Sequence, residues 1–168
     1  MKKLKWLAAP TLILTCATAF ASSNEMRIAV PDNPKYQEEC GSCHMAYPPK
    51  FLTADNWQRM MDGLNQHFGQ DATLNARDQQ AVLAYLLSGA SNNAKRHSAD
   101  SLRISDTKWF RDEHHELSKK VYASTVIKSP SNCVACHAKA ERGVWHEGRE
   151  HASNSIFHTL FNGGYDGD

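Results

Sequence analysis

The chain has 168 residues, with 19 Lys+Arg against 18 Asp+Glu. That length suits one ordinary domain or two small ones, and the balanced charge leaves no basic footprint for nucleic acid. A charge-steered partner would therefore meet a local patch rather than a global field.

Residues 1–21 read as an export leader. Lys2, Lys3 and Lys5 form a positive start, Trp6 to Ala17 is apolar, and Ala19-Phe20-Ala21 is a small-residue cleavage site. The apolar stretch falls short of the roughly 20 residues a membrane helix needs. Thr15 stands where Gly or Ala would precede a lipidated cysteine, so Cys16 is expected to leave with the leader. Cleavage near Ser22 would take 21 residues from 168 and leave 147, with 16 basic and 18 acidic residues once the three leader lysines are gone. Of the five cysteines, the four that remain all lie in two short motifs.

Ser22 to Lys35 is a polar loop with Pro31, Asp32, Asn33 and Pro34, leading into a short helix expected to carry Cys40-Gly41-Ser42-Cys43-His44. The spacing C-x-x-C-H is that of covalent c-type haem attachment. Two thiols three positions apart can each form a thioether to one haem edge, and the next residue places an imidazole beneath the iron, which makes His44 the proximal ligand. Cys133-Val134-Ala135-Cys136-His137 repeats the pattern. A zinc ribbon spaces its cysteine pairs by roughly 15–20 residues, and redox dithiols would leave both histidines unexplained. Here 90 positions separate Cys43 from Cys133. The expectation is two covalently bound haems on Cys40, Cys43, Cys133 and Cys136, attached outside the cytoplasm and hence in the periplasm.

Pro48 and Pro49 should stop the first helix, and Met45, next to the proximal histidine, is a packing residue. A second helix is predicted over Thr53 to Leu64, with Thr53 as cap and Trp57, Met60, Met61 and Leu64 on one face. That face runs on to His67 before Gly69. His67 follows His44 by 23 residues, enough for a helix and a return to the far side of the ring, so it is the expected distal ligand of the first haem. Met60 and Met61 compete with it and would raise the reduction potential. A helix over Asn75 to Leu87, capped by Asn75, closes a first unit spanning 22–90.

Ser88 to Asp100 reads as an exposed linker holding a solvated His97, and 91–103 as the connector to a second unit over 104–168. There Ser105-Asp106 is expected to cap a helix running to about Val121. Phe110, His114, Leu117 and Val121 share an apolar face, while His115 lies with Arg111, Asp112, Ser118 and Lys119. His114 should be buried and His115 solvated. His114 precedes His137 by 23 residues and is the expected distal ligand of the second haem. Ser131 or Asn132 should cap the second motif. In the tail, Ile156, Leu160 and Phe161 could dock as a short helix, and His146, His151 or His158 could take the place of His114.

The segments Cys40 to Pro49, His67-Phe68-Gly69, Trp109 to His114, Lys128 to Cys133 and Ala140 to Gly143 resemble the periplasmic dihaem cytochrome c family known as DHC. The resemblance covers about Pro34 to Gly143. It implies a mainly α protein with a small class I cytochrome c-like N-terminal haem domain and a C-terminal haem domain with little regular structure. It also implies two low-spin bis-histidine haems, His44 with His67 and His137 with His114. In that family the role is electron transfer, and some members pass electrons to a high-spin monohaem c-type cytochrome that binds oxygen.

The expectation is therefore a soluble periplasmic electron carrier between redox proteins. Its acceptor would be such a monohaem cytochrome and its donor a membrane cytochrome; it needs no catalytic acid, base or nucleophile and has no membrane span in the mature chain. The rival is a haem enzyme or gas-binding protein with one five-coordinate or labile iron that reduces oxygen, peroxide or a nitrogen oxide. A third reading holds the same haems against a membrane cytochrome as a subunit.

Overall fold

The computed structural model describes residues 27–145, so the leader, the three tail histidines and the apolar residues near the C-terminus lie outside it. The described residues form helices and turns with no strand, only isolated bridges.

Helix α1 spans Pro34–Cys40 and starts as its sequence demands. The Asn33 side chain accepts from the Tyr36 N–H at 2.9 Å, and Pro34 occupies the first helical position, where a missing N–H costs nothing. The helix stops earlier than expected. Gly41 closes it by donating to the Gln37 carbonyl at 2.9 Å, and a Cβ there would collide with that same oxygen. Only Cys40 therefore rides the helix, while Ser42 to His44 form a turn. A 3₁₀ turn over Pro49–Phe51 follows the paired prolines.

Helices α2 (Ala54–Asp62) and α3 (Ala76–Gly89) match their predicted places and caps. Asn75 accepts from the Asp78 N–H at 3.0 Å while its amide donates to the Asp78 carboxylate at 2.7 Å. The apolar stripes of α2 and α3 close with Tyr36 and Leu52 over a core of Trp57, Met61, Leu64, Val82 and Leu86.

The segment read as an exposed linker is largely exposed, but it is fastened at His97 and Ala99. Its short helix α4 (Ala94–His97) brings His97 Nδ1 to 3.3 Å from the Phe51 carbonyl and stacks its ring on Trp109 at 5.3 Å. His97 is thus packed, because Trp109 supplies an apolar face that lies outside its own stretch of chain. Just beyond, the fully buried Asn56 donates to the Ala99 carbonyl at 2.7 Å and accepts from the Ala99 N–H at 3.2 Å and the Thr53 hydroxyl at 2.9 Å.

Helix α5 (Lys108–Glu113) is capped by Thr107, which accepts from the Phe110 N–H at 3.1 Å. Asp106, expected in that role, accepts from the Ser101 hydroxyl instead. Nor does the helix reach Val121. It ends at His114, whose backbone turns to φ −121°, and α6 (Lys119–Tyr122) begins a new short helix after Ser118. The second motif starts as a 3₁₀ turn over Cys133–Ala135 with no side-chain cap, and the Asn132 amide donates to the Ile127 carbonyl at 3.0 Å.

Two contacts tie the ends together. Ile28 donates to the Gly143 carbonyl at 2.9 Å, a close approach that needs glycine: Gly143 sits at φ 76°, and a Cβ there would collide with the Ile28 oxygen. Beside it Ile28 and Phe51 pack with Ala140 and Trp145 in a second cluster. Among the described residues no helix is long and apolar enough to cross a membrane.

Candidate functional site

The two motifs lie side by side. Tyr47, three residues beyond His44, stacks on that imidazole at 4.7 Å and donates its hydroxyl to the Ser131 carbonyl at 2.7 Å, two residues before Cys133. The proline-directed exit after His44 makes this reach possible, a role for Tyr47 that spacing alone did not reveal.

Each motif histidine lies close to the imidazole expected opposite it. The His44 and His67 ring centres are 6.2 Å apart with planes inclined at 30°; those of His114 and His137 are 6.0 Å apart at 89°. Two imidazoles on opposite sides of one metal ion, bonded at about 2.0–2.1 Å with each ring centre roughly 1.1 Å further on, have centres about 6.3 Å apart. Both pairs fit that span. Met61 is packed in the core and Met60 lies against it, and the imidazole near His44 is that of His67.

The second nitrogen of each imidazole shows how the ring is held. His44 Nδ1 lies 2.8 Å from the Met45 carbonyl, and His114 Nδ1 lies 2.9 Å from that of Phe110. Only a protonated Nδ1 can donate to a carbonyl, and in the neutral ring that tautomer leaves the Nε2 lone pair for a metal. His114, expected to be buried, is half-buried and stacks on the buried Phe110 ring at 4.1 Å, whereas His115 is exposed as expected. His67 is held differently. It caps the 3₁₀ turn Leu64–Gln66, and its Nδ1 is buried without a hydrogen-bond partner. Burial, then the neighbouring His44 and Arg103, lower its pKa, which favours the neutral ring that can bind iron. His137 packs against Trp145 at 5.6 Å.

The cysteines suit thioether chemistry better than a thiolate metal site. Burial pushes Cys40 and Cys133 up to about 11 and raises Cys136, so these thiols stay protonated at neutral pH. Cys43 is exposed at the turn. Among the described residues no group of three or more His, Cys, Asp or Glu gathers as a metal cage. Buried polar atoms without partners also sit at these sites: His67 Nδ1, the Trp145 indole N–H beside His137, and the Tyr122 hydroxyl. Burial, with Cys136 and Cys133 nearby, pushes Tyr122 up to about 12. Such orphans fit a large group that completes the pocket.

The family model for dihaem cytochrome c matches residues 36–145. The chain belongs to the dihaem cytochrome c family. A crystal structure of DHC purified from Rhodobacter sphaeroides is 37% identical, covers 69% of this chain and 99% of its own, and superposes with a TM-score of 0.61. A diheme cytochrome c from the same organism is 36% identical over 70% of this chain and 99% of its own, with a TM-score of 0.62. A diheme cytochrome type c from Shewanella baltica is 33% identical over 70% and 90% of the two chains, with a TM-score of 0.60. No curated protein matches the chain. This dihaem cytochrome carries two covalently bound c-type haems and is an electron-transfer haem protein. Its mainly helical architecture is that of the solved relatives.

Proposed function

We propose that this dihaem cytochrome is a soluble periplasmic electron carrier in which both irons are low-spin and bis-histidine ligated. The first haem is held by Cys40 and Cys43 between His44 and His67, the second by Cys133 and Cys136 between His137 and His114. The observation that carries the reading is the pair of imidazole separations, 6.2 and 6.0 Å, each at the span of a doubly ligated metal. The haems supply reversible one-electron chemistry. The protein's part is to fill both axial positions, so that no substrate site is left, and to orient the imidazoles of His44 and His114 through the Met45 and Phe110 carbonyls. Two nitrogen ligands favour a low potential relative to His/Met.

The partners proposed are a high-spin monohaem c-type cytochrome as acceptor and a membrane cytochrome as donor, meeting this protein in weak, transient encounters. Replacing His67 and His114 by Ala one at a time tests the ligation. Each variant should turn one haem, and only one, to high spin in the optical spectrum of the oxidised protein. A spectrum unchanged by either substitution overturns that assignment. One observation favours the rival, a gas-binding or oxidant-reducing haem: the His67 ring lacks a hydrogen bond to fix it. Rapid carbon monoxide binding by the reduced parent protein would support that rival.

A further inference from the structure

Two backbone strains flank one contact beside the first axial pair. Phe68 takes φ 52° and Leu102 φ 62°, a left-handed conformation that residues with a Cβ rarely hold without compensation. Phe68 directly follows His67, and Leu102 directly precedes Arg103. The Arg103 guanidinium carbon lies 4.2 Å from the centre of the Phe68 ring, and that ring lies tilted 4.9 Å from the His67 ring. Phe68 is 42% exposed, so burial does not account for an aromatic residue held at a strained position. Its ring instead touches two groups, the Arg103 guanidinium and the His67 imidazole. Gln70 closes the loop by donating to the His67 carbonyl at 3.1 Å, which keeps both rings on one short turn.

The other end of the contact is anchored as well. Arg103 sits on the segment leading from the first unit to the second, and that segment is fastened to α2 by the Asn56 bonds to Ala99 and by Arg59 donating to the Asp100 carbonyl at 3.2 Å. His114 needs no such help, since its ring is hydrogen-bonded and stacked on a buried phenylalanine.

We propose that Arg103 is a positioning residue for the first haem: from the connecting segment it pins Phe68 against His67 and so sets how readily that iron's distal position opens. The inference rests on His67 being the ligand. The hold on one haem is thereby made to depend on how the segment leading to the other is docked.

The test uses the intact dihaem protein, reduced, with carbon monoxide as probe, because it binds only the fraction with the distal ligand off. Arg103→Ala should raise apparent carbon monoxide binding at the first haem about two- to fivefold, the factor that an exposed cation–π contact corresponds to, and leave the second haem unchanged. Arg103→Lys should restore most of the parent behaviour. Phe68→Ala should loosen the ligand at least as much, and adding Arg103→Ala to it should change nothing further, since the guanidinium then has no ring to hold. No effect of Arg103→Ala, equal effects at both haems, or a full effect persisting without the Phe68 ring would overturn the proposal. If the parent itself binds carbon monoxide rapidly at the first haem and His67→Ala leaves its spectrum unaltered, the ligation reading fails, an outcome distinct from failure of the Arg103 contact.

Discussion

The two halves of the molecule make their interiors in different ways. In the first, α1, α2 and α3 supply most of a core running from Tyr36 to Leu86, and His67 sits on a turn at its edge. In the second, α5 and α6 have six and four residues, too few for a helix to stand on its own stripe. Its cluster around Ala140 and Trp145 is completed by Ile28 and Phe51, lent by the other half. The difference shows in how His67 and His114 are held. In the second half His114 is gripped locally, by the Phe110 carbonyl and the stacked Phe110 ring. Where a core already exists, the imidazole is placed by the loop that leaves it.

The largest effect should come from removing that local grip. Phe110→Ala deletes a buried ring and the face on which His114 stacks, and should lower unfolding stability by about 3–5 kcal/mol. Denaturant titration followed at both haems would show the second losing its folded-state spectrum first. The corresponding change at the exposed Phe68, to Ala, removes its Arg103 contact and should cost about 0.5–1 kcal/mol. Equal losses at the two positions would erase the contrast between the halves.

The joint between them is next in size. Asn56→Ala strips the Ala99 N–H and carbonyl of their buried partner and should cost about 2–3 kcal/mol, measured by the same titration. Tyr47→Phe removes one hydrogen bond to Ser131 while keeping the ring on His44, and should cost about 1 kcal/mol. A larger loss would mean that the bond, more than the ring, holds the two motifs together.

The smallest expected effect is a pH dependence. Burial lowers the pKa of His97 below 6.5, opposed by its bond to the Phe51 carbonyl and aided by Arg96 and Lys50. A lowered histidine pKa means that the folded state favours the neutral ring. The stability it contributes is present above the unfolded value and is lost as pH falls through it toward the folded value. Taking the protein from about pH 7.5 to about pH 5.5 should therefore lower the unfolding midpoint, and His97→Gln should flatten that slope. An unchanged slope would mean that His97 does not couple the joint to pH.

Legibility in the sequence followed the range of the interactions. Asn75 capping α3, Thr53 capping α2 and the stripe from Trp57 to Leu64 are local patterns, and they appear where periodicity places them. The helix through Trp109 was legible in its face but not in its length. Phe110 is buried and His115 exposed as the period requires, yet the chain turns at His114, where the side-chain nitrogen lies at the same Phe110 carbonyl that the His114 backbone N–H bonds. His97 was misread because its packing surface, Trp109, comes from another element. Charge counts near Arg103 gave no hint of its ring contact, since Phe68 lies 35 positions earlier.

What the residues alone determined is the cofactor chemistry. Two thiols and an imidazole at fixed offsets specify covalent haem wherever the chain folds, because the geometry needed is contained within five consecutive residues. The close imidazole pairs, the connector docked on Asn56, and Phe51 filling the second cluster were decided by the tertiary structure. Each of these joins groups separated by tens of residues, and only the closed fold brings them within contact distance.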